Sequence, residues 1–242
     1  MTTSCKNCPL RKKECFMPFS AQELSFMETF KSGELSVDAK TTIQIEGAKT
    51  PHLYTVLSGM GLRYKTLENG RRQVINFLMP GDFVGLQAGV MGEAGHSVET
   101  ATPMVLCTFQ RQDLWRLFQS HPSRAYDLVW LAASEEAFLG QSLATVGQRT
   151  GVERVAWALL KLYERLDHRG LTKGNSVALP FRQQDLADAL GLSLVHTNKT
   201  LSQLRSRRVA DWSNGALTIL DREKLQNSAM MDVEGMEQRP LI

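Results

Sequence analysis

The sequence lacks the long apolar runs that would place it in a membrane. No stretch approaches the ~20 apolar residues of a membrane-spanning helix, and no apolar segment follows a basic start at the N-terminus. We therefore expect no signal peptide, no membrane partner and a cytoplasmic location. The excess of one charge sign over the other is also small. The 28 Lys and Arg against 25 Asp and Glu give a formal net charge of +3, so any nucleic-acid binding must come from a local basic patch.

Cysteine is scarce as well, and its placement is uneven. The chain has four cysteines, of which Cys5, Cys8 and Cys15 lie in the first fifteen residues, while Cys107 lies in the apolar stretch 104–109, an expected strand. Four thiolates are the usual ligands of an iron–sulfur cluster or a structural zinc ion. Zinc sites usually combine two close pairs, and only Cys5 and Cys8 form one. Free or redox-active thiols are the third alternative, because cytoplasmic cysteines tend to stay reduced.

Short runs punctuated by glycine follow the cysteine-rich leader. Ser20 and Glu23 fit a capping box that starts a helix reaching about Lys31. Farther on, Asn69-Gly70 joins two alternating runs, which is a strong hairpin signal. Several short strands with turns between them predict a small antiparallel barrel or roll.

The central part of the chain predicts a long helix with a heptad seam. Its seam positions follow one another in steps of four and three, and the later ones are small, which lets two helix backbones approach closely. We expect this seam to join two copies of the chain, the alternative being that the stripe packs on its own roll. The dimer-interface candidates are Tyr126, Trp130, Ala133, Ala137, Gly140, Ala144 and Gly147.

The C-terminal third predicts a winged helix-turn-helix. Residues 183–190 fit a short helix closed by Gly191, which suits the left-handed turn at a helix end. Ser193 can cap a second helix, 194–206, and Asn214-Gly215 predicts the hairpin of a wing. In the second helix we expect three apolar residues to face a core: Val195, Leu201 and Leu204.

Polar and basic residues of the second helix are the candidate DNA contacts. No acidic residue lies between Gly191 and Ala210, and an amide such as that of Asn198 pairs bidentately with adenine. The alternative is an ordinary helical hairpin with a solvated charged face. The candidate contacts are Ser193, His196, Thr197, Asn198, Lys199, Gln203, Arg205, Arg207 and Arg208.

These signals predict an α+β chain of five segments within 242 residues, long enough for two domains. They are a leader (1–19), a β-roll (20–122), a dimerisation helix (123–150), a winged helix-turn-helix (151–227) and a flexible tail (228–242).

The chain resembles the CRP/FNR family of bacterial transcription regulators over nearly its whole length. The resemblance rests on the Pro-Gly-Asp-Phe-Val-Gly turn at 80–85, the long central helix and Asp-Leu-Ala…Leu-Gly-Leu-Ser at 185–193. The cysteines look like those of the oxygen-sensing FNR branch, whose [4Fe–4S] cluster is degraded by oxygen, which weakens the active dimer. The resemblance implies a homodimer on near-palindromic double-stranded DNA, with RNA polymerase as a further partner. It also implies that the roll is of the cyclic-nucleotide-binding type and that a [4Fe–4S] cluster is held by Cys5, Cys8, Cys15 and Cys107.

Two departures from the family pattern bear on ligand and operator. The family's cyclic-nucleotide pocket uses a Glu and an Arg-Ser pair, where this chain has Leu86, His96 and Ser97. Leucine cannot bind the ribose hydroxyls and histidine substitutes poorly for a guanidinium on phosphate, so we expect no cAMP. The base readers of FNR are Glu, Ser and Arg, where this chain has Val195, Asn198 and Lys199, so the operator need not be the usual FNR sequence.

Other functions have less support from the residues. The alternative is a CRP/FNR-type regulator without a cluster that senses another small effector, thiol oxidation or a haem-bound gas. Candidate haem ligands are His52, His96, His121 and His168. An enzyme is not expected, because no Ser/His/Asp order, Walker loop or zinc-hydrolase motif is present.

Overall fold

The computed structural model describes residues 2–231, 235 and 237–242. The described chain forms two compact units. The first comprises Met1–Lys65, Ile75–Ala137 and Glu237–Ile242, and the second comprises Thr66–Val74 and Phe138–Met236. No helix among the described residues is long and apolar enough to cross a membrane.

The leader contains two single 3-10 turns, Cys5–Asn7 and Leu10–Lys12. The elements that follow in the first half of the chain are α1 (Ala21–Phe30), β1 (Lys31–Val37), β2 (Thr42–Gln44), β3 (His52–Ser58), β4 (Gly61–Thr66), β5 (Arg72–Leu78), β6 (Phe83–Val84), α2 (Leu86–Met91), β7 (Ser97–Thr100) and β8 (Met104–Gln110). The remaining elements are α3 (Leu114–Ser120), α4 (Pro122–Gln148), α5 (Gly151–His168), β9 (Thr172–Lys173), β10 (Ser176–Ala178), α6 (Gln183–Leu190), α7 (Leu194–Ser206), β11 (Ala210–Ser213), β12 (Ala216–Ile219) and α8 (Arg222–Ala229).

Two four-stranded sheets build the β-roll, in the orders β1-β8-β3-β6 and β2-β7-β4-β5. The central strand β8 pairs antiparallel with both β1 and β3, so Cys107 lies opposite Glu34 on one side and Thr55 on the other. The roll, the long helix α4 and the C-terminal helix-turn-helix confirm the predicted fold class.

Local signals placed several elements correctly. Helix α1 begins with the predicted capping box, in which Glu23 N–H donates to the Ser20 hydroxyl at 3.2 Å. The β4–β5 turn has Gly70 at φ 78°, the left-handed conformation that glycine favours. Strand β1 was missed, because its sequence Lys-Ser-Gly-Glu-Leu-Ser-Val follows α1 directly and most of its residues are only half-buried.

The expected flexible tail differs from the structure at both of its ends. Helix α8 continues to Ala229, and residues 237–242 are packed against the first unit. Leu241 and Ile242 are buried because they join an apolar cluster. Residues 232–234 and 236 of the expected tail lie outside the described residues.

The second unit carries the helix-turn-helix and its wing. Helix α6 ends at Gly191 with φ 64°, and the Ser193 hydroxyl caps α7 by accepting from His196 N–H at 3.2 Å. Strands β11 and β12 join β10 and β9 in one sheet, and Asn214 and Gly215 form the hairpin turn with positive φ.

Candidate functional site

The outer surface of α7 carries the predicted DNA-reading side chains. Ser193, His196, Asn198 and Lys199 are exposed, so their polar groups are accessible to base edges and phosphates. The His196 ring packs against the first residue of α5, because a Cβ added at Gly151 would lie 2.2 Å from His196 Nε2. Gly151 therefore leaves the space that this ring uses.

Two residues of α7 lie on the opposite face of the helix from the face that the sequence analysis predicted for them. Thr197 is buried and cannot contact DNA, because it shares the inner face with Thr200, Leu201 and Leu204. Val195 is 80% exposed rather than in the core. The helical period could have shown this, since Val195 is out of phase with the inner positions 197, 201 and 204. An exposed valine on a recognition helix is suited to contact a thymine methyl group.

Basic residues follow at the end of α7. Arg205, Arg207 and Arg208 are exposed, and Arg205 makes a long ion pair of 3.5 Å with Asp211 at the start of the wing. Gln203 is half-buried, and its amide oxygen accepts from Arg207 at 2.9 Å when the amide is oriented to satisfy both groups. Gln203 thus has a partner within the chain and is a weaker candidate for base contact than Asn198.

Three of the four cysteines line one cavity in the first unit. Cys5 and Cys8 come from the leader and Cys107 from β8, and Lys31, Thr55, Leu241 and Ile242 also contribute to the wall. The fourth cysteine, Cys15, is buried in the apolar cluster that includes Cys107 and against which Cys5 and Cys8 pack. The fold therefore brings together the residues that the sequence separates by 92 positions.

Burial favours the protonated form of two of these thiols, Cys5 and Cys107. Burial raises the pKa of the Cys107 thiol to about 11, and it also raises the pKa of Cys5. Lys31 ion-pairs with Glu34 at 2.6 Å, and its positive charge partly opposes both shifts. Buried thiols with raised pKa are poor nucleophiles, so direct oxidation of Cys107 is disfavoured.

The donor set fits a thiolate-ligated metal centre in kind and in location. The space left between the side chains is only about 30 Å³, room for one or two water molecules. Among the residues that the structure describes, no group of three or more His, Cys, Asp or Glu side chains is arranged to hold a metal ion. Metal binding would therefore require the leader and the cavity wall to rearrange around Cys107.

His96, at one of the positions where the chain departs from the family's cyclic-nucleotide pattern, is affected by a buried ion pair. Arg63 is buried and ion-pairs with Glu135 of α4 at 2.8 Å, and Asn76 Nδ2 donates to the same carboxylate at 3.0 Å. His96 lies in the field of this pair, and burial together with the Arg63 charge lowers its pKa to about 4. A neutral, half-buried imidazole cannot supply the positive charge that a cyclic phosphate needs.

The predicted dimer stripe on α4 is largely exposed in the part of the chain that the structure describes, although Trp130 packs against the apolar cluster of the first unit. All its positions are exposed except the half-buried Trp130, and a Cβ added at Gly140 or Gly147 would meet nothing within 4 Å. The structure adds exposed apolar residues that the sequence analysis did not include. They are Val129, Leu139 and Leu143, exposed by 59%, 44% and 75%, of which Val129 and Leu143 continue the three-and-four spacing from Tyr126.

Two family models match the chain. Residues 34–121 match the cyclic nucleotide-binding domain and residues 153–228 match the Crp-like helix-turn-helix domain. The nitrogen fixation regulation protein FixK of Bradyrhizobium diazoefficiens is 30% identical over 230 residues, covering 92% of each chain. The transcriptional activator protein FnrL of Cereibacter sphaeroides is 26% identical, covering 83% of this chain and 81% of its own.

A solved structure gives the same assignment. FixK2 from Bradyrhizobium japonicum superposes with a TM-score of 0.74 at 27% identity, covering 84% of this chain and 98% of that one. The match includes both the β-roll and the helix-turn-helix, so the shared fold extends across the two halves of the chain. The chain therefore belongs to the CRP/FNR family, on its FNR-like branch, and is a DNA-binding transcription regulator rather than an enzyme.

Proposed function

We propose that this regulator responds to oxygen or redox state through a [4Fe–4S] cluster and binds DNA as a homodimer. The observation that carries the proposal is the cavity shared by Cys5, Cys8 and Cys107, with Cys15 in the adjoining core. Thiolates at these positions would be the four ligands, and a cluster held there would supply reactivity toward oxygen. Similarity to FnrL and FixK supports the same branch.

Charge around the cavity supports the ligand assignment. Lys31 and Arg11 both line it, and Arg11 Nη1 donates to the Cys5 carbonyl oxygen at 3.0 Å. A thiolate-bound cluster is anionic, so nearby cations stabilise it and fix the path of the leader. Uncharged side chains at these two positions could not stabilise an anionic cluster in this way.

The DNA-bound form in this proposal is a dimer joined along α4. One α7 helix enters each major groove, and the two half-sites lie about one helical turn apart. The exposed stripe on α4 supports this arrangement, because an apolar face of this length needs a partner to leave water. The proposal also includes RNA polymerase as a further partner. It includes no binding of cAMP. The lowered pKa of His96, at the position of the family's phosphate-binding Arg, supports the absence of cAMP binding.

Anaerobic reconstitution tests the sensing role. Protein treated with iron and sulfide under argon should contain both elements, absorb visible light and bind operator DNA, and air should bleach it and weaken DNA binding. Cys107→Ser should abolish these responses as fully as Cys8→Ser. Thr108→Ser, a change at the next residue of β8, is the matched control and should respond like the parent.

Two results would contradict the sensing role. One is an anaerobically prepared protein without iron and sulfide. The other is a DNA affinity that is the same under argon and in air, which would favour a cluster-free regulator that senses another effector.

A further inference from the structure

The C-terminal residues of the chain are held against the cysteine cavity by several kinds of contact. Residues Glu237–Ile242, here called the C-terminal plug, pair with the leader through the backbone. Arg239 N–H donates to the Cys15 carbonyl at 2.9 Å, and the Arg239 carbonyl accepts from Met17 N–H at 2.9 Å. The plug and the leader therefore form an isolated parallel β-bridge between Arg239 and Phe16.

An ion pair fixes the plug to the Pro80-Gly81-Asp82 turn of the roll. Arg239 Nη1 lies 2.8 Å from Asp82 Oδ1, and the Asp82 side chain is almost completely buried. The same turn holds the leader, because the Phe16 ring occupies the space in which a Gly81 side chain would lie. Leader and plug are thus anchored at one point.

The last two residues reach the cavity itself. Leu241 and Ile242 are 4% and 5% exposed and line the cavity with Cys5, Cys8 and Cys107. The Thr55 hydroxyl donates to the carbonyl oxygen of Ile242, and Thr55 is directly opposite Cys107 in the sheet. The apolar side chains at the chain end therefore fill the space beside the thiols.

We propose that the C-terminal plug and a metal centre compete for the same cavity. The proposal rests on the proposed cluster-binding function. The plug covers the buried Cys107, while Cys5 and Cys8 are half-buried, and only about 30 Å³ remains beside the three thiols. A four-iron centre in this cavity would take the space that Leu241 and Ile242 fill, so loading of the cysteines displaces these two residues and loss of the metal returns them.

Thiol alkylation in iron-free, full-length protein under argon tests the plug without any cluster. Leu241→Ser combined with Ile242→Ser should raise the rate at which iodoacetamide modifies the buried Cys107 by roughly tenfold or more, because a buried thiol reacts only through local opening. Leu67→Ser, which removes an exposed apolar side chain outside the cavity, is the control and should react at the parental rate. Mass spectrometry of the peptides gives the rate at each cysteine.

A second variant and a second readout keep the test decisive. Arg239→Ala leaves the apolar residues in place and should raise the same rate by a smaller factor, which covers the case in which the double variant does not fold. During reconstitution, the double variant should take up iron and sulfide faster than the parent. In the loaded parent, the backbone amides of Leu241 and Ile242 should exchange hydrogen faster than in the iron-free parent.

The outcomes separate the two proposals. Equal alkylation rates in the parent and in the folded variants overturn the plug, whether or not iron binds. An absence of iron and sulfide in every sample overturns the cluster, while faster alkylation of the variants still supports the plug as a shield. Equal hydrogen exchange at Leu241 and Ile242 in the loaded and the iron-free protein overturns the competition.

Discussion

Glu135 is the counter-ion of a guanidinium that the roll buries. Arg63 is 8% exposed, and its other bond is to the Phe83 carbonyl at 2.5 Å. Removing the carboxylate leaves a buried charge with one polar partner fewer, which is costly. Glu135→Ala should therefore lower the free energy of unfolding by about 2–4 kcal/mol, measured by urea denaturation. Gln141→Ala, an exposed truncation on the same helix, is the control, and an equal effect of both would contradict the buried-pair interpretation.

His96 makes folding stability depend on pH. Burial and the Arg63 charge lower its folded pKa to about 4, whereas an unfolded histidine titrates near 6.5. Between these values the unfolded chain binds more protons, so the free energy of unfolding falls as pH drops through that window and levels off below it. Because the ring keeps some contact with solvent, we expect the free energy of unfolding to fall by about 2 kcal/mol across this window.

Replacing the imidazole isolates this contribution from that of the carboxylates. His96→Gln should flatten the decline of the unfolding free energy between pH 6.5 and pH 4. Denaturation curves for the parent and the variant at several pH values measure the difference between the two slopes. Identical slopes would show that His96 is not the group responsible.

At the scale of elements, the sequence was sufficient to predict those features that depend only on neighbouring residues. Helix α6, its Gly191 end and the Ser193 cap of α7 were predicted from sequence because each depends on residues within one or two turns. The packed ends of the chain were not predictable in this way. Leu241 and Ile242 are two apolar residues after a polar stretch, and only the distant Thr55 and Cys107 show why they are buried.

The exposed face of α7 leads to a prediction about how the protein discriminates between DNA sequences. Asn198 is exposed and its amide can pair bidentately with adenine, so Asn198→Ala should cost ~1–3 kcal/mol of discrimination at one base pair. Arg207→Ala is the contrast, since loss of a phosphate contact weakens binding to all sequences and lowers the salt dependence. Binding titrations on operator and random DNA measure both, and an equal loss for Asn198→Ala on the two DNAs would remove it as a base reader.

At the scale of the whole molecule, the α4 stripe decides whether DNA is bound by two chains. A Cβ added at Gly140 meets nothing within 4 Å among the described residues, and a helix interior accommodates glutamate better than glycine by roughly 0.5–1 kcal/mol. Gly140→Glu should therefore leave the protomer folded while placing two unpaired charges in the dimer seam. Sedimentation should then show monomers, and operator affinity should fall.

The position of the added charge matters more than the charge itself. Gln141→Glu adds the same charge one residue away, at the edge of the stripe, and should sediment as the parent does. Loss of the dimer in both variants would indicate a general effect of negative charge on α4. A stable dimer in Gly140→Glu would place the seam elsewhere, and the exposed row of Val129 and Leu143 would then need another partner.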